Sequence, residues 1–462
     1  MRGTRWINGV AAALLLLTGT PAGAAPLGHV GRNVNISRMF GNQNETAVAI
    51  NPTNPKNVVV TSNLESFRGL LEAHSFDGGL TWTRHTIADG TDDLGIACCD
   101  SSLAFDSYGN LFLTYLLLFD IRLPVALSTD GGVNFDPLDQ ILPKVTGGRL
   151  LHSRGRVSAP DQPTIATGPG SVWVTYTGGT SIEAAGAPVS GLGDVEPFHD
   201  PEVAVGHRYG HFGDIAIGPV GQVLVVYQTV SGEAPGRIIT DLDPDGLGTL
   251  GFEEARLVTD TNVGDFDVIP AAARVTIDSE TGLAWDRSGG PNDGRVYLLW
   301  TQETPDESDD TEILVQYSDD DGDSWSEPMR VNDDPGTNSQ FMPKIALDQT
   351  TGNLAVAWYD CRFDEGVGGR GDTNGIPNDD ALLYASVSTD GGLSFARNLH
   401  VAARVSNSED AGTTQDFGDY EGLAFEAGSF YSVWADNSNS TGDNPDGILH
   451  QLDLYTARVT AG

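Results

Sequence analysis

Residues 318–325 read SDDDGDSW: four carboxylates, Asp319, Asp320, Asp321 and Asp323, crowd one glycine and stop at a serine and a tryptophan. On their own, alternating acids around a glycine favour a calcium loop, because they can aim several oxygens at one hard cation. The rest of the chain points elsewhere. SFDGGLTW at 75–82, STDGGVNF at 128–135 and STDGGLSF at 388–395 keep only a Ser, an Asp, a Gly and an aromatic. Each of these has a job in a turn: the carboxylate accepts bonds from nearby amides, the glycine supplies a positive φ, and the aromatic buries apolar surface. A repeated element of this kind builds rather than reacts, and the additional acids read as decoration on a turn.

A longer unit precedes these turns. PKIALDQTTGNLAVAWYD from 343, SSLAFDSYGNLFLTYLLL from 101 and PTIATGPGSVWVTYTGG from 163 are its clearest copies, and others begin at 45, 213, 273 and 422. Each is a hairpin of two alternating runs, most followed by a third run, such as ILVQYS or LLYASVS, that leads into the Asp turn. Four strands per unit of about 50 to 75 residues, repeated radially, predict an all-β fold, a β-propeller of four-stranded blades. Seven copies favour seven blades; a six-bladed ring with one copy displaced stays open. HVGRNVNIS, at 29–37, is placed to supply a strand that closes the ring. In the third and fourth units, APVSGLGD and TDLDPDGLG occupy the slot of the Asp turn.

Residues 1–25 combine Arg2 and Arg5, the apolar run VAAALLLLTG and a small-x-small site at Ala22-Gly23-Ala24, the pattern of a signal peptide. Residues 26–462 are therefore expected to form one exported propeller domain, secreted or periplasmic. No later run approaches the ~20 apolar residues that span a bilayer. Without Arg2 and Arg5 the chain keeps 23 basic against 64 acidic residues, a formal charge of −41 rather than −39. Such a surface repels nucleic acid and anionic membranes, and a monomer is expected. Cys98, Cys99 and Cys361 cannot all pair within one chain. One disulfide is expected, either from Cys361 to one of the neighbours or between the neighbours themselves.

Repeated Asp boxes within propeller units resemble the sialidase (neuraminidase) superfamily of secreted Asp-box, or BNR-repeat, proteins, and the resemblance runs from about 45 to 459. It implies a propeller fold, carbohydrate as the partner and, as activity, exo-acting glycoside hydrolysis of the α-sialidase kind. It also implies an arginine triad for the substrate carboxylate, a Tyr nucleophile assisted by Glu, and an Asp acid/base. The family's Phe/Tyr-Arg-Ile-Pro motif is replaced here by SRMFGNQNE, with Arg38 and no proline; Ile121-Arg122-Leu123-Pro124 lies in the second unit, just before an Asp box. Asp boxes also occur in non-enzymes, so a non-catalytic propeller binding glycan or protein is the alternative.

In a propeller the starts of the inner strands crowd the axis on one face, where the loops between second and third strands join them. The strand starts carry Glu45, Asp100, Asp161, Gln162, Phe212, Asp214, Met342, Asp419, Tyr420 and Glu421; the loops carry Arg68, Arg122, Glu183, Arg237, Glu303, Asp360, Arg362 and Asp364. Arginines for a carboxylate and paired acids for proton transfer are what an acidic sugar would need, so Arg68, Arg122, Arg237, Arg362 and Asp360 are the substrate-binding candidates. Tyr420 is the candidate nucleophile. Glu421 is expected on the opposite face of an extended strand, which leaves Glu45 as the assisting base. Asp100 or Asp161 is the candidate general acid. The loops entering units three and four add His152, Arg154, Arg156, His207, Arg208 and His211. No cofactor is required for this chemistry. Calcium is the one considered, at Asp241, Asp243 and Asp245, which with Gly246 match the first half of an EF-hand loop, although position twelve is Phe252 and Glu253 falls one residue late. DTNGIPNDD at 372–380 is a weaker candidate.

Overall fold

A computed structural model describes residues 28–144, 160–179, 181–206, 210–230, 232, 234–369 and 371–461. The signal segment, His152, Arg154, Arg156, His207 and Arg208 lie outside these residues. The described chain forms seven antiparallel blades, each with strands A to D running outward from a common axis. The inner strands are Gln43–Ile50, Ala97–Phe105, Asp161–Gly168, Gly210–Ile217, Gly282–Trp285, Gln340–Leu347 and Gly422–Glu426. The only described helix is a single 3-10 turn, Glu409–Ala411, and no helix is long and apolar enough to cross a membrane.

The B strands read as continuous apolar runs because blades stack on both of their faces. In blade 6, Leu354, Ala355, Val356, Ala357 and Trp358 are all fully buried, where a one-sided sheet would alternate. Closure comes from the N-terminus: Val34–Asn35 pairs with the C strand of blade 7, Asp453–Thr460, as its outermost strand. Asp453 fastens it, accepting from Asn35 Nδ2 at 2.5 Å and Ser37 Oγ at 2.8 Å. HVGRNVNIS thus holds the closing strand.

The four Asp turns share one hydrogen-bond scheme. In blade 6, Asp390 accepts from Ser388 Oγ (2.9 Å), Leu393 N (3.1 Å), Ser394 N (2.9 Å) and Ser394 Oγ (2.5 Å), while Gly392 N donates to Ser388 Oγ. The glycine is required by more than its φ of 79°: a Cβ there would stand 2.9 Å from Tyr297 in strand B of blade 5. Gly132 is pressed in the same way on Val59 of blade 1, at 2.8 Å. Each of these turns therefore seats its blade on the preceding one. Asp390→Ala, which removes the acceptor for four donors, should cost about 1–3 kcal/mol, to be read as a lowered denaturant midpoint.

Three expectations need correction. The extra acids of SDDDGDSW are not ornament: Asp320 makes the turn, Asp319 pairs with Arg295 at 2.7 Å, Asp321 accepts from Gln222 of blade 4 at 3.3 Å, and Asp323 pairs with Arg256 of blade 4. Unit five does not begin at 273. Ala272–Ile277 belongs to a separate two-stranded hairpin with Asp267–Ile269, and the inner strand starts at Gly282. A run with the right alternation sat just ahead of the true strand, and alternation alone could not separate them. The third is Glu421, which lines the axial cavity and does not face away from it. Of the two disulfide arrangements left open, Cys98 bonds Cys99, and Cys361 is a buried free thiol.

Candidate active site

The inner strands do not run regularly up to the axial mouth. In blades 1, 2, 3, 4 and 6 the pairing with strand B slips near the strand start. The residue in each bulge, Glu45, Asp100, Gln162, Phe212 or Met342, has φ between 43° and 56°, and Glu280 ahead of blade 5 has 41°. Left-handed backbone is uncommon for residues other than glycine, and a bulge re-aims the side chains beside it. Its recurrence at one level of the ring turns polar residues from several blades toward one axis.

Beside these bulges lies a cavity of about 240 Å³ to which every blade contributes, among others through Thr46, Ser101, Gln162, Asp214, Glu280, Lys344 and Tyr420. Arg287, just past the inner strand of blade 5, donates to the carbonyls of Thr167 (3.0 Å) and Ile217 (2.6 Å), at the ends of the inner strands of blades 3 and 4. Lys344 is the only cationic side chain among the described lining residues. Its Nζ lies 2.7 Å from Glu280 Oε1 and 5.4 Å from the centre of the Tyr420 ring. Burial works against the Lys344 charge, but Glu280 and Asp214 outweigh it and hold the ammonium above its usual range.

The carboxylates around the mouth are held in different states. Burial first, and then the neighbouring Asp100, push Glu45 well above the usual carboxylate range; Asp100 is raised by burial and by Asp161. Asn63 ties the two together, donating to Glu45 and accepting from Asp100 N at 3.0 Å. Asp161 is the exception. Burial would raise it too, but the bond from His211 Nε2 at 3.1 Å and the charge of that ring hold it below its ordinary value. Facing this group, Asp419 is pushed up to about 7 by burial and by Asp161, and accepts from Gln162 Nε2 at 3.2 Å. Gln162 N also donates to Asp100, so one residue touches acids of blades 2 and 7.

Glu45, Asp100, Asp161 and Tyr420 are thus gathered at one mouth. Burial and four neighbouring carboxylates, led by Asp100, drive the Tyr420 hydroxyl well above its usual range, opposite to what a phenolate nucleophile needs. Tyr420 and Glu421 precede the ladder of blade 7, so strand alternation does not apply to them: both line the cavity, contrary to the expectation for Glu421. Neither Glu421 oxygen has a hydrogen-bond partner among the described residues, and burial raises this carboxyl well above its ordinary value.

The arginines are distributed otherwise. None of Arg68, Arg122, Arg237 and Arg362 lines the cavity. Arg122 pairs with Asp120, Arg237 with Asp260 at 3.7 Å, and Arg68 is exposed. Arg362 is bound to Asp360 (2.7 Å) and Asp333 (2.8 Å) and covers the Tyr384 ring. Asp360 also accepts from Trp358 Nε1, and Glu303 accepts three amides of its own loop. Asp241, Asp243 and Asp245 lie in and after strand C of blade 4. Their oxygens accept from Tyr227 Oη and Val205 N, from the amides of 245 and 246, and from those of Thr249 and Leu250. Glu280 and Lys344 were missed as site residues. Aligning GLAW at 282 with KIAL at 344 would have set Glu280 opposite Met342 and so at the axis.

The fold and site define a seven-bladed β-propeller with an acid-lined cavity on its axis. Solved structures of the same fold include a Dyadobacter fermentans protein of unknown function (TM-score 0.50, 12% identity, 95% of this chain and 100% of that one). Others are the GH93 alpha-L-arabinofuranosidase of Fusarium graminearum (0.47, 15%, 71% and 92%) and the phage phi92 endosialidase (0.46, 12%, 94% and 69%). At these identities the likeness is one of fold. No protein-family model matches the chain, and no curated protein matches its sequence.

Proposed function

We propose that this protein is an exported, exo-acting glycoside hydrolase for neutral sugar residues, with Asp161 as the ionised carboxylate and Asp419 as the proton donor. The observation that carries this reading is the pairing of two half-buried carboxyls at the mouth whose surroundings push them apart: His211 keeps Asp161 charged, and that charge helps keep Asp419 protonated. Two carboxyls in opposite states are what acid-assisted glycosidic cleavage uses. The exo mode is supported by a cavity volume below the roughly 300–1,000 Å³ of drug-sized ligand sites, suited to a terminal ring. The neutral sugar is favoured because the candidate arginines are outside the cavity and its one cation is paired with Glu280. The purified protein should release fluorophore from at least one neutral pentoside or hexoside in a panel that includes sialosides. Cleavage of sialosides alone would refute the neutral-sugar assignment, and binding of glycans without any turnover would leave the non-catalytic propeller in its place.

A further inference from the structure

Away from the axis, the outer half of blade 1 carries a second group of chemically capable side chains. Glu72 and His74 lie two residues apart on strand C, Leu70–Ser75, and so share a face. His85 on strand D, Thr83–Ile87, is the direct cross-strand partner of Glu72, which brings it to the same face. The Asp turn of blade 2 packs over them, with the Cβ position of Gly132 3.3 Å from Glu72 Oε1. His74 Nδ1 stands 3.1 Å from Glu72 Oε1 and His85 Nδ1 3.3 Å from Oε2, and one donor atom from each residue lies within 4.8 Å of the others.

We propose that Glu72, His74 and His85 form a binding site for one zinc ion or a similar first-row divalent cation, with a further position open to water beside His85. With bonds of about 2.0–2.1 Å, neighbouring ligands of a tetrahedral zinc stand about 3.3 Å apart, close to the two separations here. Two imidazoles and one carboxylate suit zinc and its neighbours rather than calcium or magnesium. The Glu72 side chain is fully buried, so a cation would offset a charge that burial otherwise penalises. The His85 side chain is 39% exposed, which provides a route of entry. A hydrogen-bonded cluster would need a proton on both Nδ1 atoms; a metal needs their lone pairs. The ion would tie the outer strands of blade 1 together where blade 2 rests on them.

The test is calorimetric titration of the chelator-stripped chain, free of any polyhistidine tag, with Zn²⁺, and with Co²⁺ as an optical probe. The expected result is one Zn²⁺ per chain, retained in excess Ca²⁺ and Mg²⁺, and the visible absorption of four-coordinate Co²⁺. His85→Ala, at a half-exposed position that should leave folding intact, is expected to weaken binding by more than about 100-fold, beyond the loss usual for an outer-shell partner. Equal Zn²⁺ uptake by the wild type and His85→Ala, or no stoichiometric uptake by the wild type, overturns the proposal.

Discussion

Asp161→Asn should lower kcat on a neutral glycoside by about 10²–10⁴-fold, the range typical of losing one acid/base group, with a much smaller change in KM. Folding should be spared, because the substitution removes a like charge from beside Asp100 and Asp419. Asp419→Asn tests the other half. On the proposed assignment, activity needs Asp161 ionised and Asp419 protonated. The rate should therefore rise as Asp161 loses its proton, below the ordinary aspartate range, and fall as pH climbs through about 7, where Asp419 titrates. In Asp419→Asn the residual kcat/KM should lose the alkaline limb. A wild-type rate in Asp161→Asn, or an unchanged alkaline midpoint in Asp419→Asn, would end the assignment.

Lowering the pH from 8 to 5 should stabilise the fold. Asp241 and Asp243 are pushed up to about 7, and Asp267 and Asp453 to about 6, in each case first by burial. Between the unfolded value near 4 and these folded values the native state binds more protons than the unfolded chain. The unfolding free energy therefore falls as pH rises through that window and levels off above it. The turn acids have the opposite sign, but Asp77 and Asp120, both lowered to about 2, lose their contribution only below the unfolded value. Unlike Asp77 and Asp120, these four buried carboxyls titrate between 5 and 8. One effective unit at each of the four sites sums to on the order of 5 kcal/mol, and a Tm difference of several degrees is expected. Calorimetry at constant ionic strength, with chelator present so that no cation holds the carboxylates ionised, measures it. A Tm that stays flat or rises with pH would contradict the burial argument, and Asp453→Asn should flatten the dependence.

The propeller was legible in the chain because its signals are local. The Ser-x-Asp-x-Gly turn closes within five residues, the paired runs of each unit are adjacent, and HVGRNVNIS was the stretch left to complete the last blade. The same locality explains the errors. The run at 273–277 alternates as well as any inner strand, and Glu421 was assigned a face by an alternation that begins only at Gly422. What the tertiary structure alone decided is which charged residues meet. The bulges at Glu45, Asp100 and Gln162 depend on how each inner strand pairs with its neighbour. The partners of Arg362, Asp323 and Asp161 are set by distances across blades. Glu72 and His85 face each other only once two outer strands have paired. Turn chemistry acts over a few residues and can be read in order. Electrostatics acts through space, and only the closed ring determines that spacing.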